Sequence, residues 1–110
     1  MLLVILGISK SSHVERIILH RNDNENNSRT RGFGLCVMGG KLSETDGKLY
    51  AYVAWILPSG CADKMNLKPG DRILEWDHHS LVNCTYEQVC NIIDNSGNTV
   101  ELLIEPYYKE

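Results

Sequence analysis

Arg31-Gly32-Phe33-Gly34-Leu35-Cys36-Val37-Met38-Gly39-Gly40 is the stretch whose reading decides the fold of this chain. Two glycines flank one aromatic residue, an apolar and β-branched run follows, and two further glycines close it. Glycine takes up backbone angles that other residues resist. A Gly-Phe-Gly turn can therefore aim successive N–H groups at one point and form a concave anion site. Leu35 to Met38 reads as a strand leaving that turn. An anion cradle fused to a strand edge is the shape needed to hold the end of another polypeptide.

Upstream of the turn, His13 to His20 alternates loosely around Val14, Ile17, Ile18 and Leu19 and reads as a first strand. Asn22 to Arg31 contains no apolar residue and is expected to be a solvated loop. Downstream, Asp46-Gly47 is a strong turn pair, and Leu49 to Leu57, rich in aromatic and β-branched residues, reads as a third strand. Pro58-Ser59-Gly60 breaks it. Cys61 to Met65 has room for about one turn of helix, which Asn66 can close in the left-handed conformation. After the turn Lys68-Pro69-Gly70-Asp71 come a fourth strand, Arg72 to Trp76, a tight turn over Asp77 to Ser80, and a very short strand at Leu81-Val82.

Thr85 to Asp94 carries the clearest helical pattern. Thr85 and Gln88 have capping-box spacing, and Tyr86, Val89, Cys90 and Ile93 fall on one face at i, i+3, i+4 and i+7. Val89 reads as core, whereas a phenol near a helix start tends to stay partly exposed. Gly97 fits just past the helix end, Val100 to Glu105 reads as the last strand, and Tyr107 to Glu110 as a fraying tail. Five or six short strands with one short and one long helix make a small α+β domain whose sheet should curl into a partly open barrel.

The 110 residues suffice for one domain and one modest core. A formal charge of -3 with scattered Lys and Arg argues against nucleic acid, whose binders usually show a basic stripe. Cys36, Cys61, Cys84 and Cys90 have no C-x-x-C spacing and read as reduced, mostly buried thiols of a reducing compartment. His78, His79, Cys84 and Cys90 match no zinc spacing, and no residue pair suggests an activated nucleophile. The sequence indicates no metal, no cofactor and no enzyme activity. The apolar stretch from Met1 to Ile8 is far shorter than the roughly 20 residues of a membrane span. It lacks the basic start of a signal peptide and is open to reading as an extra edge strand.

In this order and spacing the residues resemble a PDZ domain. The resemblance rests on Gly32-Phe33-Gly34-Leu35, Gly39-Gly40, Gly60-x-Ala62, and Leu67-Lys68-Pro69-Gly70-Asp71-Arg72-Ile73-Leu74 ahead of the long helix. It divides the chain into an extension over residues 1–12, a PDZ domain over 13–105 and a tail over 106–110. It implies that a partner's C-terminal peptide adds antiparallel to Leu35 to Met38. The N–H groups of Phe33, Gly34 and Leu35 would hold the terminal carboxylate, with Arg29 or Arg31 assisting. The last ligand side chain would enter an apolar pocket of Phe33, Leu35, Val37 and Ile93, and the remaining groove would comprise Cys36, Met38, Tyr86 and Cys90.

Tyr86 holds the helix position where many members carry His and favour Ser or Thr two residues before the ligand's end. Its ring favours an apolar ligand residue there, although its hydroxyl can also donate to an acidic one. Leu74-Glu75-Trp76, with Trp where most members have a β-branched residue, is similar to presynaptic active-zone scaffolds of the RIM and Piccolo type. The resemblance implies a monomeric, cytoplasmic adaptor at the plasma membrane or synapse that binds C-terminal tails of membrane or scaffold proteins and touches the membrane only indirectly. Two alternatives stay open: regulation of an enzyme in a longer polypeptide, as in some proteases and Rho regulators, and PDZ–PDZ or internal-motif pairing.

Overall fold

The computed structural model describes residues 14–24 and 29–107. The readings of Met1–Ile8 and of the last three residues lie outside them. Strand β1 (Glu15–His20) is followed by β2 (Leu35–Leu42), β3 (Leu49–Ile56), the short helix α1 (Cys61–Lys64), β4 (Arg72–Trp76) and β5 (His79–Ser80). Helix α2 (Tyr86–Asp94) and β6 (Thr99–Glu105) complete the chain. The strands form one antiparallel sheet in the order β1-β6-β4-β3-β2, with β5 paired to β4 off that path. The sheet does not close, and β2 ends it.

Alternation places the core. Ile17 and Leu19 of β1, Ala51 and Val53 of β3, and Val100, Leu102 and Ile104 of β6 point inward and are buried. They meet Val89 and Ile93 of α2, so one face of the sheet carries the helix and burial supplies the main stabilisation. The Thr85 hydroxyl accepts from the Gln88 N–H at 3.2 Å while the Gln88 side chain accepts from the Thr85 N–H at 2.8 Å. That is the expected capping box.

Three expectations need correction. β2 runs on through Gly39-Gly40 to Leu42 instead of stopping at Met38, because a bulge between Met38 and Lys41 absorbs the glycines within the strand. The small strand is His79–Ser80, not Leu81-Val82: Asp77 and His78 take positive φ and make the turn, and Leu81 turns into the core. Tyr107 is fastened, since its N–H donates to Asp71 Oδ1 at 2.9 Å.

Candidate functional site

The glycine turn is held from beneath and from both sides. Arg31, Gly32 and Gly34 all have positive φ, at 52°, 85° and 76°. Gly34 is indispensable, because a Cβ there would lie 3.0 Å from the Cys61 N and 3.1 Å from the Ala62 N. Helix α1 thus seats directly against the turn, and the Cys61 thiol donates to the Phe33 carbonyl at 2.9 Å. On the other side the Leu57 N–H donates to the Gly34 carbonyl at 3.0 Å.

Phe33 departs from its expected place. Its N–H is engaged within the turn, donating to the Thr30 carbonyl at 2.8 Å. Its ring is wholly enclosed, edge-on to Trp76 and under the Arg21 guanidinium, 4.3 Å from the ring centroid. A ring this size gains most from full burial, so Phe33 anchors the turn to the core.

The other expected residues divide by strand parity. Leu35 and Val37 point inward and are buried, across from Ile56 and Val53. Cys36 and Met38 point to the outer face, across from Trp55 and Tyr52, and stay partly exposed. Successive strand residues face opposite ways, so the two pairs flank the edge of β2 from either side.

Helix α2 lies along β2. Its approach depends on the glycine pair: a Cβ on Gly39 would come within 2.7 Å of Val89 Cγ2, and one on Gly40 within 3.0 Å of the Tyr86 N. Ile93 is buried, Cys90 is half-buried, and Tyr86 is 49% exposed. The Cys90 thiol, one turn on, raises the pKa of the Tyr86 phenol above its usual value through hydrogen bonding first and its charge second. All four cysteines are free and partly exposed. Cys61 and Cys84 pack against the core.

Arg29 is exposed, whereas the Arg31 Nε lies 2.5 Å from Asp94 Oδ1 at the end of α2. Burial alone would lower the Arg31 pKa, but the hydrogen bond and charge of Asp94, helped by Cys90, outweigh it and hold the guanidinium above its ordinary value. Sequence reasoning missed Arg21. Its guanidinium donates to the Arg31 carbonyl, to Asn98 Oδ1 at 3.0 Å and to the Gly97 carbonyl at 3.2 Å, tying the turn to the loop after α2. In the sequence it is a cation entering a polar loop, with nothing to distinguish it from a solvated one.

A separate cavity of about 290 Å³ lies on the outer sheet face, between Lys41, Tyr50, Tyr52, Arg72 and Tyr107. Its cations are already answered: Arg72 pairs with Glu105 at 3.1 Å and stacks on Tyr50, and Lys41 stands over Tyr52. Among the described residues no group of three or more His, Cys, Asp or Glu could hold a metal ion, and no helix is long and apolar enough to cross a membrane.

The PDZ domain family model matches residues 24–105. The chain is 39% identical over 94 residues to Rab-3-interacting molecule unc-10 of Caenorhabditis elegans, covering 83% of this chain and 6% of that protein. It is 33% identical over 91 residues to human protein piccolo, covering 81% of this chain and 2% of that protein. The similarity to the RIM and Piccolo type is thus present along most of the chain, which itself spans only a small part of these relatives. Among solved structures, the PDZ domain of human KIAA0340 protein superposes with a TM-score of 0.75 at 31% identity, covering 88% of this chain and 83% of that one. The RIM1alpha PDZ domain in complex with an ELKS1b C-terminal peptide gives 0.68 at 31% identity, covering 83% and 85%. The chain belongs to the PDZ domain family.

Proposed function

We propose that this domain is a non-catalytic adaptor that captures a partner's C-terminal peptide as an added strand on β2. The observation that carries the reading is the position of β2, which ends the sheet, starts at the glycine turn and has α2 alongside. A terminal strand exposes unpaired backbone groups that an extended peptide can satisfy. The carboxylate sits against the Phe33–Leu35 backbone, with Gly34 and Leu35 as donors and Phe33 as the anchor beneath. Leu35, Val37 and Ile93 receive the last ligand side chain, and Tyr86 faces the residue two before it.

Similarity to the RIM1alpha domain, whose structure holds an ELKS1b C-terminal peptide, supports the peptide class. The partners are C-terminal tails of membrane or scaffold proteins. Similarity to human regulating synaptic membrane exocytosis protein 2, 43% over 61 residues, supports a setting at a synaptic membrane. Screening a C-terminal octapeptide array and titrating the hits beside amidated twins tests the reading. Micromolar binding to the free acids with at least tenfold loss on amidation is expected; equal binding of acid and amide overturns it.

A further inference from the structure

The ion pair between Arg31 and Asp94 joins the start of the glycine turn to the last residue of α2, across the carboxylate end of the groove. Resting on the carboxylate reading above, we propose that Arg31 rather than Arg29 is the assisting cation and that Asp94 is an internal competitor for the ligand: it occupies the guanidinium that an incoming carboxylate would use, and so sets the affinity and anion preference of the site.

Three features support this. First, the Arg31 backbone is fixed, at φ 52° and with its carbonyl gripped by Arg21, so only its side chain can change partner. Second, Asp94 lies at the end of a helix, where the dipole disfavours a carboxylate, and α2 has no basic residue in its last turn. Its charge is therefore balanced from outside the helix, by Arg31. Third, the pair is wet enough to open, with side-chain exposures of 26% for Arg31 and 56% for Asp94.

A peptide carboxylate arriving at the turn meets a guanidinium already bonded through Nε. Either Arg31 leaves Asp94, or one guanidinium carries two anions side by side, and like charges held that close repel. Both routes cost binding energy. An amidated peptide end faces neither cost. Asp94 thus acts only on ligands that bring a negative charge to this end of the groove.

The test uses the tightest octapeptide from the array, as free acid and as amide, by fluorescence anisotropy with wild type, Asp94→Asn, Asp94→Glu, Arg31→Gln and Arg31→Gln with Asp94→Asn. A partly exposed ion pair is worth a factor of about two to five in binding. Asp94→Asn should therefore tighten the free acid by about that factor and leave the amide unchanged. Asp94→Glu, which keeps the charge, should bind like wild type, and the gain should vanish in the Arg31→Gln background. Unchanged or weaker binding by Asp94→Asn, an equal gain for the amide, or a gain that persists without Arg31 overturns the proposal. If wild type binds acid and amide alike, the carboxylate reading has failed instead, and the wild-type titrations alone reveal it.

Discussion

The Phe33 ring meets the Trp76 indole edge-on, with centroids 5.3 Å apart and planes at 82°. This contact joins the glycine turn to β4 in the centre of the sheet. The indole also donates to Ser96 Oγ at 3.1 Å, and that hydroxyl donates to the Ile93 carbonyl at 2.6 Å. One side chain thereby links the floor of the turn to the C-terminal end of α2. Trp76→Ala should cost about 3–5 kcal/mol in urea unfolding, the range for emptying a large aromatic site. Trp55, 39% exposed, serves as the control, with Trp55→Phe within about 0.5 kcal/mol of wild type. Equal losses from both would refute the central position of Trp76.

The distance between β2 and α2 depends on a missing methyl group. Gly39→Ala places a Cβ within 2.7 Å of Val89 Cγ2, and Val89 is fully buried and cannot swing aside. Overpacking of this kind costs about 1–3 kcal/mol, and it pushes the helix outward, so peptide affinity should change as well. Gly97→Ala meets nothing within 4 Å and should leave the thermal midpoint unmoved. A Gly39→Ala protein as stable as Gly97→Ala would show that the helix does not depend on this close approach.

Selectivity two residues before the ligand's end is expected to follow Tyr86. On an array varied at that position, wild type should favour apolar residues, because the exposed ring adds apolar contact area. Tyr86→His should move the preference toward Ser and Thr, whose hydroxyls an imidazole can bond. A dominant Ser or Thr preference already present in wild type would sink the assignment.

In the β2–β3 turn the Tyr50 hydroxyl donates to Asp46 Oδ2 at 2.5 Å, and the Lys48 N–H donates to Oδ1 at 2.9 Å. The Tyr50 bond first, and the Lys48 bond second, hold the Asp46 carboxyl below its usual pKa. A carboxyl with a lowered folded pKa stabilises the fold above its unfolded value of about 3.9, and that contribution disappears as pH falls through the folded value. In a carboxyl NMR titration, Tyr50→Phe should raise the Asp46 midpoint toward the ordinary range. The stability difference between the two proteins should shrink as the solution is acidified through that interval. An unmoved midpoint would show that the Tyr50 bond does not form in solution.

The sequence by itself determined the element types and their order, because these follow from short-range patterns. Loose alternation marks β1, aromatic and β-branched content marks β3, the Thr85–Gln88 spacing starts α2, and the Gly32-Phe33-Gly34 turn with its downstream glycines and Lys68-Pro69-Gly70-Asp71 identifies the family. It also identified Val89 as core and Tyr86 as a partly exposed member of the same helix face. Only the tertiary structure decided what the turn residues touch. Phe33 folds under the turn because Trp76, 43 positions later in the chain, lies beside it in the sheet. Arg31 meets Asp94, and Arg21 meets Asn98, across separations of 63 and 77 residues that no local pattern encodes. The bulge that carries Gly39 and Gly40 into β2 is likewise set by the helix packed on them, since closeness between distant segments is a property of the assembled core.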